Sequence, residues 1–190
     1  MALSSLQPFS LVGGTALALR YGHRSSIDLD LFFHEKFDHN LIESEMRQVF
    51  GSEFKYEGGH KQFGIFCYIE KVKVDIVYFP HLPIAEIESE ENIRMYSSAD
   101  IGAMKIQAML GRGRKKDFWD LYELLQHFPL EQLILWYTQK YPTQMLAISI
   151  PNAITYFTDA EDSEKPESFK NQTWEQVKKG IQKAVREYLS

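Results

Sequence analysis

Asp28 and Asp30 stand two apart in Ile27-Asp28-Leu29-Asp30-Leu31, a run in which acidic and apolar residues alternate with the period of a strand. Both carboxylates therefore leave one face, with Cα atoms about 6.6 Å apart at about 3.3 Å of rise per residue. Ile27, Leu29 and Leu31 then face a core. Like charges held side by side repel unless a cation lies between them. Upstream, Gly13-Gly14-Thr15 lets the backbone turn sharply into the helix-forming run TALALRY, and a helix N-terminus leaving a glycine turn offers unpaired N–H groups to an anion. An isolated acidic pair is the solvent face of an amphipathic strand. Behind a glycine turn, a helix and a return strand, it reads as a place for a cation beside a phosphate.

The elements that must position these groups follow from the same stretch. Residues 10–12 form a short strand, residues 15–21 a helix, and Gly22 its end. A third carboxylate comes from KVKVDIVYFP, where Val74, Ile76 and Tyr78 share one parity and Lys73, Asp75 and Val77 the other. Asp75 is costly to bury alone. It either pairs with Lys73 or completes the acidic set; with a metal it would be a ligand, or it would take the proton of an acceptor hydroxyl. Further on, Ser98-Ala99-Asp100 caps the helix IGAMKIQAMLGR, with Lys105 and Arg112 seven apart on one face. Judged alone, that lysine lays its stem along apolar neighbours. Four basic residues in five positions, 112–116, lead into DFWDLYELLQHF, where Asp117 sits in a first helical turn and Asp120 at the edge of an apolar face in want of a partner.

On these residues the chain resembles the nucleotidyltransferase superfamily with the polymerase-beta-like fold, whose motif is a Gly-Gly or Gly-Ser turn, a helix and Asp-x-Asp. More closely, LVGGTALALRYGHRSSIDLDLF and ADIGAMKIQAMLGRGRKKDFWDLYEL resemble two blocks of the AbiEii/AbiGii toxin family. The first block has GGTALAL, Arg-x-Ser and Asp-hydrophobic-Asp; the second has a helix lysine, an Arg-rich turn and Asp-x-x-Asp-Leu. The resemblance spans residues 11–125 and implies an α/β (α+β) fold. A small mixed sheet flanked by helices would form the catalytic core over residues 1–90. A helical region, 91–190, would complete the site and meet the acceptor.

The resemblance further implies that Gly13, Gly14, Thr15, Arg24, Ser26, Lys105 and Arg112 bind the nucleotide. Asp28, Asp30 and Asp75 would hold two magnesium ions, and Lys105 with Asp117 or Asp120 would complete the catalytic set. The implied reaction moves a nucleoside monophosphate from a nucleoside triphosphate (NTP) to a hydroxyl of RNA, such as a transfer RNA, or of protein. The implied setting is a toxin-antitoxin or phage-defence system with a cognate antitoxin. Phosphoryl transfer suits such a carboxylate set because it depends on positioning and charge stabilisation. The alternative is a noncatalytic nucleotide- or partner-binding module of the same fold. A third reading is a metal-dependent nuclease, but many of those place a lysine two residues after a strand acid, and Lys73 precedes Asp75.

Composition bounds the rest. With 190 residues, 44% hydrophobic and 25% charged, the chain suits one domain or a catalytic domain with a helical extension. A net charge of -5 does not announce a nucleic-acid binder. The single cysteine, Cys67, lies in an apolar run and reads as a buried thiol in a reducing, cytoplasmic setting. The N-terminal stretch does not read as a secretory signal, and no apolar run is long enough to cross a bilayer. His23, His34, His39, His60, His81 and His127 show no zinc-site spacing, and His23 reads as a turn residue. No G-x-S-x-G elbow or Walker-type loop is present.

The remaining pattern predicts a helix over 41–50 closed by Gly51, with Leu41, Ile42, Met46, Val49 and Phe50 on its face. Strands follow over 53–56, 63–70 and 72–79, with Gly58-Gly59 at the first turn. Pro80, Pro83 and the acidic run 86–91 read as a boundary, 158–172 as an exposed loop, and 173–189 as a helix capped by Thr173.

Overall fold

Strand β1 (Ser10–Val12) is buried along its whole length, and the chain turns from it directly into helix α1 (Gly13–Tyr21). Gly13 makes that turn at φ 72°, and Gly22 ends the helix at φ 56°, its N–H donating to the Ala18 carbonyl. β2 (Leu29–Phe33) returns antiparallel to β1, with Leu11 opposite Leu31. The strand begins two residues later than the alternation suggests. Ile27 therefore lies ahead of it and is 70% exposed rather than in the core.

The computed structural model describes residues 3–58 and 63–190; Gly59 of the expected turn and His60 lie outside the described residues. Asp38 caps α2 (His39–Phe50) by accepting from the N–H groups of Asn40 and Leu41. The buried face of α2 is narrower than its pattern: Ile42 and Met46 are buried, while Leu41 and Val49 are exposed. β3 (Phe54–Gly58), β4 (Gly64–Ile69) and β5 (Val72–Tyr78) then run as an antiparallel meander, and β5 lies parallel to β2.

The stretch read as a boundary contains a hairpin instead. β6 (Glu88–Glu90) and β7 (Ile93–Met95) flank Glu91 and Asn92, both at positive φ, as a two-residue primed turn requires. Strands of three residues are too short to show alternation, which is why the pattern hid them. β7 joins parallel to β1 through Leu11 and Met95. Among the described residues the seven strands form one mixed sheet in the order β3-β4-β5-β2-β1-β7-β6.

The helical half begins at α3 (Ser98–Arg112), whose cap is Ser97 rather than Ser98. It continues through α4 (Lys115–Leu124), α5 (Leu130–Lys140), α6 (Ile150–Thr155) and α7 (Trp174–Leu189). Thr173 and Gln176 form a capping box, and Val177, Ile181 and Val185 bury one stripe of α7, while Leu189 at its end is exposed. Trp174 stacks on Trp119 of α4 with ring centroids 5.5 Å apart. A buried pair, Lys140 Nζ to Asp100 Oδ1 at 2.6 Å, joins α5 to α3, and Asp100 also accepts the N–H groups of Ile84 and Ala85. The sheet and helical half thus share one hydrophobic core.

Cys67 is buried in β4, and burial with the Asp75 charge pushes its thiol up to about 11. No described helix is long and apolar enough to cross a membrane. The segment expected as an exposed loop is exposed in part, yet it is tied down: Ser25 N–H donates to the Glu167 carbonyl and Phe169 N–H to the His23 carbonyl. Backbone hydrogen bonds to a loop distant in sequence leave no periodic trace.

Candidate active site

The parallel pairing of β2 with β5 sets Asp30 directly opposite Asp75. Leu31 and Ile76, next along each strand, are buried in the core, so alternation turns the two carboxylates to the other face. Burial, and then the Asp75 charge, pushes the Asp30 carboxyl above its usual range. Lys73 contacts Asp75 from two residues along β5, so the same-face ion pair forms. Burial pulls the Lys73 ammonium down, but the bond and charge of Asp75, with the Asp30 charge, outweigh it and raise its pKa. Asp28 lies just ahead of β2, half-exposed, with its Oδ2 3.8 Å from Lys116 Nζ.

Two observations bear on a cation. Asp75 Oδ1 is buried without a hydrogen-bond partner among the described residues, and the neighbouring Asp30 carboxyl is destabilised by its charge. Among the described residues no three His, Cys, Asp or Glu side chains stand together to hold a metal ion, so Asp28 stands apart from the Asp30 and Asp75 pair. An open carboxylate pair fits magnesium, which takes one or two protein carboxylates and fills its shell with water and substrate phosphate.

The glycine turn is held against this pair. A Cβ on Gly13 would meet Asp30 Oδ2 at 2.7 Å, and one on Gly14 would meet Arg24 Nη2 at 2.1 Å. Val12 at the N-cap of α1 makes no side-chain cap bond, which leaves the first N–H groups without that partner. The buried Thr15 hydroxyl donates to the Asp28 carbonyl and meets the Ser26 hydroxyl at 2.8 Å. Thr15 and Ser26 thus lock the turn to the segment carrying Asp28.

Behind the turn lies a fully buried carboxylate. Asp120 accepts Arg24 Nε at 2.6 Å, Arg24 Nη2 at 2.8 Å and His23 Nε2 at 2.8 Å. Lys105 Nζ stands 2.7 Å from Asp120 Oδ2, which Arg24 Nη2 also meets, and 2.9 Å from Asp117 Oδ1. Asp117 also accepts the Arg114 N–H, joining the start of α4 to α3. Burial would raise the Asp120 carboxyl, but Lys105, His23 and Arg24 hold it far below the usual range. Burial likewise opposes the Lys105 charge, and Asp120 with Asp117 overcomes it. All these side chains are buried, so Lys105, Arg24 and Asp120 brace the turn from behind.

In front, a cleft of about 760 Å³ is lined by Asp28 and the segment 24–27, by Arg114 and Lys116, and by residues 163–167. Arg112, expected with the nucleotide group, is exposed in the last turn of α3 and does not line this cleft. Gly113 breaks the face between them: α3 ends at Arg112, and Arg114 and Lys116 enter with α4.

Residues 3–143 match the family described as nucleotidyl transferase AbiEii toxin, type IV toxin-antitoxin system. The chain belongs to the AbiEii family. It is a nucleotidyltransferase of the toxin class. An uncharacterized protein of Aquifex aeolicus is 33% identical over 197 residues, covering 100% of this chain and 92% of that protein. Among solved structures, MenT4, a nucleotidyltransferase toxin of Mycobacterium tuberculosis, superposes with a TM-score of 0.60 at 13% identity, covering 97% of this chain and 76% of that one. JHP933 of Helicobacter pylori gives 0.56 at 17% identity, covering 94% and 82%. At those identities the structures speak for the fold, which is the nucleotidyltransferase fold.

The AbiEii chain also engages His23, whose place in the sequence would let it touch a phosphate, and a later segment that the pattern reads as a loop. His23, read as a turn residue, is wholly buried on Asp120. The adjoining His23-Arg24 pair ahead of the acidic strand was its one sequence signal, since two such polar groups beside an apolar helix need partners when buried. Residues 163–167 carried no signal.

Proposed function

We propose that this chain transfers a nucleoside monophosphate from an NTP to an acceptor hydroxyl, on RNA such as a transfer RNA or on a protein, as the toxin opposed by a cognate antitoxin. The observation that carries this reading is Asp30 in register with Asp75, beside the uncapped start of α1. Paired carboxylates next to open backbone N–H groups suit a triphosphate and its metal.

Asp28, Asp30 and Asp75 would hold magnesium, two ions in this reading. Bound there, magnesium would neutralise charge on the transferring phosphate and lower the pKa of the acceptor hydroxyl. The N–H groups at the start of α1 orient phosphate oxygens, and the two glycines let the backbone approach them. Thr15 and Ser26 fix the distance from that turn to Asp28. Arg24, Lys105, Asp117 and Asp120 act as positioning residues, since their polar atoms are engaged with one another and buried. Arg114 and Lys116 take the cationic role foreseen for Arg112. In this division residues 1–90 supply the carboxylates and the turn, and residues 91–190 supply the brace and the cations.

The test incubates wild type and Asp75→Asn with magnesium, total bacterial RNA, bacterial protein and each α-labelled NTP, then resolves the products on denaturing gels. Label entering a discrete RNA or protein band with wild type alone is expected. Equal labelling by Asp75→Asn would refute the metal assignment. Magnesium-dependent nucleotide binding with no labelled product would favour a noncatalytic nucleotide-binding module instead.

A further inference from the structure

We propose that residues 163–167 form a wall of the nucleotide pocket and that Lys165, on that wall, contacts the triphosphate of the bound nucleotide. The inference rests on the function proposed above and assigns a role to a segment beyond the family-matched span, which ends at residue 143.

The segment is fastened at both ends. On the α4 side, Lys115 N–H donates to Ser163 Oγ at 2.8 Å, and Lys115 Nζ donates to the Glu161 and Ser163 carbonyls at 2.7 and 3.0 Å. On the sheet side, Ser25 N–H donates to the Glu167 carbonyl at 2.9 Å and Phe169 N–H to the His23 carbonyl at 3.0 Å, with Arg24 and Ser168 bridged antiparallel. Lys170 adds a bond to the buried Glu123 at 2.6 Å. Both anchors are attached to site elements: the loop of His23 and Arg24, and the first turn of α4. The five residues between them close one side of the cleft that Asp28 borders.

Position and chemistry identify what this wall faces. The cleft takes in Asp28 and residues 24–27, which are locked to the α1 turn through Thr15; Asp30, Asp75 and the turn glycines lie outside its lining. In the proposed reaction the triphosphate lies at the α1 turn, and the Thr15 bonds to Ser26 and the Asp28 carbonyl tie the cleft lining to that turn, which puts the cleft on the donor side of the reading. Its volume of about 760 Å³ falls within the roughly 300–1,000 Å³ of small-ligand pockets. Arg114, Lys116 and Lys165 interleave with Asp28, Glu164 and Glu167 around it. Such mixed lining suits a triphosphate that arrives with its cation better than a bare polyanion.

The experiment measures binding of α,β-methylene analogues of the four NTPs, which cannot transfer, by calorimetry with magnesium. Lys165 is exposed, so its variants should fold, and thermal melts check that they do. Lys165→Glu should weaken the analogue that binds wild type best by about tenfold, as reversal of one charge-assisted phosphate contact implies. Ser163→Ala, which loosens the α4 anchor, should weaken it by about threefold. Lys183→Glu on α7 makes the same charge change on a residue that does not line the cleft and should bind as wild type does. Binding by Lys165→Glu equal to wild type would overturn the proposal, as would equal weakening by Lys183→Glu. So would a transfer assay in which Lys165→Glu raises KM for the acceptor but not for the nucleotide. Wild type that binds none of the analogues would overturn the proposed function and this inference with it.

Discussion

Replacing Asp120 with Asn takes one negative charge from a position with no solvent exposure, where Arg24, His23 and Lys105 converge on its two oxygens. Lys105 keeps Asp117, but the two Arg24 nitrogens that bonded Asp120 lose their counter-charge. Breaking a buried ion pair by removing one partner costs about 3–5 kcal/mol. For a chain of this size, about 2–4 °C of melting temperature per kcal/mol gives a drop of roughly 6–20 °C. The sign with pH follows from the depressed Asp120 pKa: its stabilisation is present above the unfolded carboxylate value and is lost as pH falls toward the folded one. The gap between wild type and Asp120→Asn should therefore be widest near neutral pH and narrow below about pH 4. Differential scanning calorimetry across that range measures it, alongside nucleotide transfer at a temperature where both proteins are folded. If Asp120→Asn melts with wild type at neutral pH yet loses transfer, Asp120 acts on the substrate and the bracing argument is wrong.

Asp75→Asn should lower transfer by at least about 100-fold, because it removes a carboxylate proposed to hold the magnesium that stabilises the reacting phosphate, while leaving the far-UV circular dichroism unchanged. Asp30→Asn should raise the melting temperature of the metal-free protein at neutral pH. Its carboxyl is pushed up by burial and by Asp75, so folding binds a proton there and stability declines as pH rises through that range; the gain should vanish in acid and be accompanied by loss of transfer. Gly180→Ala replaces a helix glycine with a better helix former, yet the new Cβ would lie 2.2 Å from Tyr122 Cε2. Crowding should outweigh propensity, for a net destabilisation of about 1–3 kcal/mol in a denaturant melt.

The glycine turn, the helix behind it and the facing acidic strands were legible because each is local: alternation, a glycine pair and a cap are read within a few residues. The same locality explains what was hidden. Arg24 and Asp120 are 96 positions apart, and nothing in either neighbourhood says that they meet. Lys105 read alone as a lysine with a solvated head, whereas it is buried between two aspartates on the next helix. The hairpin of β6 and β7 was too short for periodicity, and its turn used Glu91-Asn92 where Asn-Gly would have announced it. The strap over 163–167 is held at one end by main-chain bonds and at the other by Lys115 and the Ser163 hydroxyl, partners distant in sequence that no local pattern pairs.

Burial sorts the cations of this site into two kinds, and the sorting decides which of them can meet a substrate. Arg24 lies against the glycine turn and Lys105 on Asp120 behind it, both buried, where a guanidinium or ammonium would be costly without partners. Asp120 and Asp117 satisfy them, and in the division proposed above they are thereby withheld from an incoming phosphate. What they provide instead is rigidity: Gly14 can hold no Cβ because Arg24 lies against it, so the turn is pressed onto the guanidinium. Arg114, Lys116 and Lys165 border the cleft with solvent access, where a cation remains hydrated until a ligand displaces that water. Substituting a bracing cation should therefore lower stability and transfer together, while substituting a bordering one should raise the nucleotide KM at nearly constant melting temperature. Lys105→Met and Lys116→Met, followed by thermal melts and by transfer assays at varied nucleotide, separate the two; a lower melting temperature for Lys116→Met than for Lys105→Met would invert the assignment.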